Sequence, residues 1–560
     1  MNEKLSAMLS EAERHKLVDS PVDGKGLMLL FEAGLVRLTA NQSYVNSLNV
    51  FPVPDGDTGT NMVLTMQAAL KEAEIRQSEN IGEMAHAIAQ GALMGARGNS
   101  GVILSQIWRG FARALDHYDT MDSALFVRAM QEARNTAYKG VVRPVEGTIL
   151  TVIKDMTAAA EETAKRGARL HEILAEIVRA GDESVRRTPE LLPILKQAGV
   201  VDSGGTGLYY IFEGMLRFIE GQPLDVSTVV AKPLSEMDLQ NTLENIEEGQ
   251  DYEVVIDFTP TDKFSLENYY SGLSEIGTSI QVGEGDGLYR MHIHVPLEKR
   301  FTPIEYTESL GTIKKVAMEN LQDQVKSRKD EKEPIKLAPV TPGQIAVVAV
   351  SPGDGISRIF ASLGVAAIVT GGQTMNPSVK EIVAAFENLP TDKIIILPNN
   401  KNIILAAQNA AKVSVKNIVV IPTRNAPQGF AAMLRLIPDG TLEENEEAML
   451  EAIQEVHTGE ITTATRDVTI DDVEVEKGNV IAMLDGKLVY SNHTLEGALF
   501  GLLEKANLDA FERLTFFYGE EMTPNQVNQL VDQVREKYPD LDIEVHEGGQ
   551  PYYQLIIAIE

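Results

Sequence analysis

The chain has 560 residues, 44% apolar and 6% aromatic, with 50 Lys plus Arg against 81 Asp plus Glu and a net charge of −31. That length predicts about three or four domains, and the negative field opposes nucleic-acid backbones and anionic membrane surfaces as partners. The absence of cysteine excludes disulfides, thiolate nucleophiles and Cys-type zinc sites, while the lack of a leader or of an apolar run of about 18 residues predicts a cytoplasmic protein with no membrane span.

Residues from about 26 to 220 read as a run of helices. Early in it, Asn49 to Met62 reads Asn-Val-Phe-Pro-Val-Pro-Asp-Gly-Asp-Thr-Gly-Thr-Asn-Met. Pro52 and Pro54 hold the entry extended. Residues two apart in an extended segment point to one side, so Asp55 and Asp57 can converge. Two carboxylates about 4 Å apart repel by roughly 4 kcal/mol at an effective dielectric near 20. A divalent cation removes that repulsion, and hard cations prefer oxygen ligands. The helical pattern beginning near Thr60 adds unpaired N–H groups and a positive dipole end suited to phosphate. The other reading is an Asp-Gly-Asp turn with Thr58 or Thr60 as a helix cap.

Along Glu83 to Ala96, Ala85, Ala89, Ala92 and Ala96 form a small-residue face that permits close helix packing. Ala-Arg-Gly-Asn-Ser-Gly (Ala96 to Gly101) follows, then a helix carrying Ile103, Ile107, Phe111 and Leu115. Helices are also predicted at Asp122–Tyr138, Thr148–Lys165 and Leu170–Val185, with Thr148 as a cap and Arg187-Thr188-Pro189 as a helix end. Val201-Asp202-Ser203-Gly204-Gly205-Thr206-Gly207 opens one more. Each glycine- and hydroxyl-bearing junction is explained by capping alone. An up-and-down helical barrel, however, brings alternate loops to one end.

Pro-Val-Pro-Asp-Gly-Asp-Thr-Gly-Thr-Asn-Met resembles the signature of the dihydroxyacetone-kinase L-type ATP-binding domain, and more narrowly that of the ATP-binding subunits of bacterial fatty acid kinases. The resemblance implies an all-α helical barrel over residues 1–222 that binds ATP with two Mg²⁺ ions. By position it implies Asp55 and Asp57 as metal ligands in the catalytic site. Thr58, Thr60, Asn61, Asn99, Ser100, Gly101, Thr148, Ile149, Arg187, Asp202, Ser203 and Gly204 follow as nucleotide contacts. The dihydroxyacetone enzymes have a further aspartate upstream. Here the nearest polar residue is Asn49, whose amide oxygen can ligate Mg²⁺ without bringing charge.

An acidic connector leads from Gly221 to about Gln250. Tyr252–Phe258 reads as a strand, Ser265–Ile276 as a helix, and Thr278–Val282 and Leu288–Val295 as strands, predicting a small α+β domain within 236–325. His292 and His294 share a strand face, which suits either a metal or a solvated pair. The middle domain of fatty acid kinases resembles this pattern, and some relatives hold zinc with two such histidines and a cysteine. Glu253 stands at the cysteine position, so the resemblance implies a possible Zn²⁺ at Glu253, His292 and His294.

Lys326 to Gly343 reads as a linker. The apolar run Ile345–Val350 and the strands at Ala366–Thr370, Lys393–Leu397 and Asn417–Ile421 alternate with helices, predicting an α/β domain over 341–560. Its strand-end loops, Gly371–Pro377, Pro398–Asn402 and Pro422–Asn425, are polar beyond what turns need. Beyond Glu443, a β-rich part near Val468–Val489 and a helix at Thr523–Tyr538 are expected before Gly548-Gly549-Gln550-Pro551. This region resembles the C-terminal domain of the same family, and the resemblance implies a DegV-like fold.

The whole reading is a multidomain kinase subunit, expected to form a homodimer and to serve phospholipid synthesis. A DegV-family fatty-acid-binding protein would present the carboxylate that takes the γ-phosphate. An ionised carboxylate needs no general base, which fits a site of Asp, Thr, Asn and Gly. The rival expectations are a dihydroxyacetone-type kinase of a small polyol and a non-catalytic ATP-sensing scaffold.

Overall fold

The computed structural model describes residues 21–49, 56–141, 143–224, 232–233, 252–261, 264–285, 288–320, 335–373, 375–465, 467–470 and 473–560. Asp55 and the connector at 234–251 lie outside the described residues. One compact unit joins the chain up to Asp225 with that from Ile335 onward, and the other spans Val226–Pro334. Among the described residues, no helix is long and apolar enough to cross a membrane.

The first part of the larger unit is helical: α1 (Gly24–Ala40), α2 (Gln42–Ser47), α3 (Thr58–Arg76), α4 (Ile81–Gly95), α5 (Gly98–Ala114), α6 (Ser123–Lys139), α7 (Ile149–Ala164), α8 (Leu170–Leu191), α9 (Pro193–Gln197) and α10 (Ser203–Ile219). Side-chain caps set many starts: Asn80 accepts from Glu83 N–H, Asp122 from Leu125 N–H, and Thr148 from Leu150 N–H. Each long helix packs on the next, and α10 closes on α1, which makes a ring around one apolar core. Where α4 meets α3 the close contacts come from Gly91 and Gly95, and a Cβ on Gly95 would sit 2.2 Å from Ala68 Cβ. Of the predicted small-residue face, Ala85, Ala89 and Ala92 lie in the ring's core and Ala96 lies against the α/β part.

The expected stop at Arg187-Thr188-Pro189 is not observed; α8 runs on to Leu191. Proline at 189 removes the N–H that would pair with the Val185 carbonyl. The Thr188 hydroxyl donates to that carbonyl at 2.7 Å instead, so the helix survives.

The smaller unit is a five-stranded sheet in order β1-β3-β4-β2-β5, with β1 (Lys232–Pro233), β2 (Tyr252–Pro260), β3 (Thr278–Gly285), β4 (Leu288–Val295) and β5 (Gly311–Asn320). Helices α11 (Leu266–Ser274) and α12 (Thr302–Leu310) accompany it, with Tyr269 and Leu273 in a core against Val254, Ile256 and Phe258. Both α12 and β5 extend the expected pattern.

The second part of the larger unit opens with a parallel sheet of β6 (Ile345–Ser351), β7 (Ala367–Thr370), β8 (Lys393–Leu397) and β9 (Asn417–Val420), in order β7-β6-β8-β9. Its helices are α13 (Asp354–Ser362), α14 (Val379–Glu387), α15 (Ile404–Val413), α16 (Ala426–Leu434) and α17 (Leu442–Glu455). The β-rich part expected near Val468–Val489 belongs in part to a second, six-stranded sheet, whose other strands were not expected from sequence. That sheet combines β10 (His457–Thr463), β13 (Val480–Leu484), β14 (Lys487–Asn492), β15 (Arg513–Tyr518), β16 (Asp542–Glu547) and β17 (Tyr553–Ile559), in order β14-β13-β10-β17-β15-β16. The short pair β11 (Val468–Ile470) and β12 (Val473–Val475) stands apart, and α18 (Leu495–Ala506) and α19 (Pro524–Lys537) pack on the second sheet's outer face. One core lies between the two sheets. Gly353 and Gly355 let the loop after β6 lie against residues 547–549, where a Cβ on Gly355 would be 1.9 Å from the Glu547 carbonyl oxygen.

The other face of the parallel sheet meets the helical ring. Ala96 and Val102 share an apolar cluster with Val379, Ile403 and Ala407, and Val379 N–H donates to Ala96 O at 3.2 Å. Arg97 pairs with Glu381 at 3.1 Å and donates to the Asn376 carbonyl oxygen at 3.0 Å.

Candidate functional site

Four helix starts of the ring converge. Asp57 stands at the N-cap position of α3 and is 8% exposed. The α5 start contributes Gly98, Asn99 and Ser100, the α7 start Thr148 and Ile149, and the α10 start Asp202, Ser203 and Gly204. Together they enclose a cavity of about 430 Å³. Ser203 Oγ lies 3.3 Å from Thr58 Oγ1, tying α10 to α3, and Asn49 and Asn61 complete this polar wall. Gly98 takes φ +56°, and a Cβ there would lie 2.7 Å from Asn61 Nδ2, so the turn requires glycine.

Asp202 caps α10 by accepting from Gly205 N–H at 2.6 Å. Burial pushes its pKa up to about 6, against the lowering effect of backbone donors Gly205 and Ile149. Thr188 Oγ1 accepts from Asp202 N–H at 3.0 Å, so the hydroxyl that rescues α8 also seats this loop.

Three expected contacts do not line the cavity. Thr60 turns to α2, accepting from Gln42 and Asn46 at 2.9 and 3.0 Å. Gly101 faces α3, where a Cβ would be 2.5 Å from Thr65 Oγ1, so it serves helix packing. Arg187 pairs with Asp155 at 2.7 Å on the α7–α8 side. Placing these residues by motif alone ignores that successive helical positions turn by about 100°.

The lining also includes residues that sequence reasoning missed. Ile103, Val141, Val145, Ile194 and Leu195 offer apolar surface, and Arg143 brings a cation. Lys401, Asn402 and Leu405 come from the α/β part, with Asn99 Nδ2 donating to Asn402 Oδ1 at 3.2 Å. The polarity of the Pro398–Asn402 loop was the available signal. That loop faces the ring.

In the smaller unit, Glu253, His292 and His294 have ligand atoms all within 4.8 Å of one another, and all three are buried. This overturns the solvated-pair expectation. Glu253 Oε1 lies 2.8 Å from His292 Nε2, and Glu253 is paired with His294 in the β2–β4 register. Burial, then the neighbouring His292, lowers the His294 pKa to about 4. Both His294 ring nitrogens lack a hydrogen-bond partner among the described residues.

A helical ring whose loops enclose an Asp- and Asn-walled cavity, joined to a two-sheet α/β part, defines the class. Residues 52–217 match the DAK2 domain, a kinase-related domain. Residues 249–328 match the middle domain of FakA-like fatty acid kinase proteins, and 346–560 match their C-terminal domain. The chain belongs to this FakA-like fatty acid kinase family. An uncharacterized protein of Staphylococcus epidermidis is 38% identical over 553 residues, covering 97% of this chain and 100% of its own length. An uncharacterized protein of Staphylococcus aureus is 38% identical over 550 residues with the same coverage, 97% and 100%. Among solved structures, a fatty-acid-binding DegV family protein from Thermus thermophilus shares 16% identity over 39% of this chain and 99% of its own, at a TM-score of 0.30. The dihydroxyacetone kinase of C. freundii, in complex with AMP-PNP and Mg²⁺, shares 17% over 35% of this chain and 34% of its own, at a TM-score of 0.28.

Proposed function

We propose that the cavity binds Mg-ATP and that the chain transfers the γ-phosphate to a fatty acid carboxylate presented by a separate DegV-family fatty-acid-binding protein. The observation that carries the reading is the convergence of four helix starts on one cavity, with the Asp57 carboxylate in its wall. Helix starts supply N–H donors and positive dipole ends to phosphate. The residues present fit the metal: Asp57, Asn49 and Asn61 form an oxygen-bearing wall of the kind hard cations take, with Asp55 as the expected second carboxylate. When bound, Mg²⁺ supplies charge neutralisation on the phosphates. The apolar group of Ile103, Val141, Val145, Ile194 and Leu195 suits the base, and Arg143 and Lys401 suit the phosphates.

In the transfer, a carboxylate oxygen forms a bond to the γ-phosphorus while the bond to the β–γ bridging oxygen breaks. ADP leaves with that electron pair, and an acyl phosphate forms. No proton moves in this step, so a site with no histidine among its described lining residues suffices. The chain's own contribution is to hold donors and cations around the phosphates and to fix their line of attack.

Hydroxylamine trapping tests the reading. Full-length chain with Mg-ATP and a fatty-acid-loaded DegV-family protein should yield the acyl hydroxamate, read by mass spectrometry. Free fatty acid without the partner should give only background. Equal yields without the partner refute the two-protein reaction, and phosphorylation of dihydroxyacetone in its place refutes the substrate.

The smaller unit is proposed to bind a transition metal, with zinc the best match. Two imidazoles and a carboxylate converge in burial, and His294 stays neutral at physiological pH, the state a ligand needs.

A further inference from the structure

We propose that Asn376, in the α/β part's loop between β7 and α14, shares with Asp57 the divalent cation of the nucleotide site, so that the metal site is built by both domains. The inference rests on the Mg-nucleotide reading above. Asn376 is 2% exposed, and its Nδ2 donates to Asp57 Oδ2. Its own side-chain carbonyl, Oδ1, is enclosed yet has no hydrogen-bond partner among the described residues. Native folds rarely leave such an atom unsatisfied, and an unplaced ion is one of the few reasons for it. An amide carbonyl is also a neutral oxygen of the kind that joins carboxylates around Mg²⁺.

The residue is held in place from several directions. Arg97 donates to the Asn376 backbone oxygen at 3.0 Å and pairs with Glu381 at 3.1 Å. Ser378 and Glu381 form a capping box that fixes the start of α14 just beyond it. Around the side chain, a Cβ built on Gly98 would lie 2.7 Å from Asn61 Nδ2 and 3.6 Å from Asn376 Nδ2. Asn376 therefore lies beside Asp57, Asn61 and Gly98, three residues that line the cavity. A residue serving only to join the domains would have no use for the unsatisfied oxygen. The consequence is that metal occupancy and the seating of the α/β part on the helical ring depend on each other.

The test measures Mg²⁺ dependence of fluorescent ADP-analogue binding to the full chain, together with the melting temperature in EDTA and in Mg²⁺. Asn376→Ala should raise the Mg²⁺ concentration for half-maximal binding by about tenfold or more. Asn376→Asp, nearly isosteric, should lower it, and should melt below the parent in EDTA but regain that loss in Mg²⁺. A role confined to domain packing would move both variants in the same direction and leave the Mg²⁺ midpoint unchanged. That result overturns the inference while the nucleotide reading stands. If the parent chain binds the analogue with no Mg²⁺ dependence, both fall together.

Discussion

Asp202→Asn separates the charge of this residue from its role as a cap. The carboxylate accepts from Gly205 N–H, yet burial raises its pKa from 3.8 to about 6. That rise of about 2 units is worth about 3 kcal/mol in favour of the protonated form, at about 1.36 kcal/mol per unit. Below about pH 4 the group is neutral in both folded and unfolded chains and adds no difference. Between about pH 4 and 6 the unfolded chain gives up its proton first, so the folded state loses stability as pH rises, and the loss levels off above the folded pKa. Asparagine keeps an oxygen for Gly205 N–H and lacks the titration. Its stability relative to the parent should therefore rise by up to about 3 kcal/mol from pH 4 to 7. Trp108, the chain's single tryptophan, is buried in the helical ring against Phe31 and Phe111, so its fluorescence reports unfolding of that part. Denaturant melts of both proteins across pH 4.5 to 8 supply the comparison. A difference that is flat with pH, or that turns against the variant as pH rises, refutes the argument.

Asp57→Asn should weaken Mg-dependent ATP binding by more than about tenfold with little change in melting temperature, and normal calorimetric affinity would remove Asp57 from the metal site. Lys401→Ala should weaken ATP by about five- to tenfold, the effect of one partly solvated charge near phosphate, while AMP is affected less and Lys401→Arg restores the ATP preference. Equal losses for ATP and AMP would contradict a phosphate role. His294→Ala should abolish zinc retained through gel filtration, measured by elemental analysis, and chelation should lower the parent's melting temperature but not the variant's. Stoichiometric zinc in the variant would refute the Glu253–His292–His294 site.

Local chemistry made much of this chain legible from sequence. Asn80, Asp122 and Thr148 cap helices in the predicted run, because capping needs only a side-chain oxygen within three residues of an unpaired N–H. Ile345–Val350 is a buried parallel strand because an unbroken apolar run has no face to give to water. The helix starts carrying Asp57, Asn99, Thr148 and Asp202 do meet at one cavity. What the sequence could not decide depends on partners distant along the chain. Thr60, Gly101 and Arg187 sit in the right stretches but point toward α2, α3 and Asp155, since a helix turns each residue away from its neighbour's direction. The histidine pair could have faced solvent and is buried, because strand alternation settles which residues share a face but not what covers it. Lys401 lines the cavity, and Asn376 meets Asp57, only because the α/β part packs on Ala96 and Val102. That contact joins residues about 280 positions apart, and no local periodicity encodes a surface formed only when two folded domains meet.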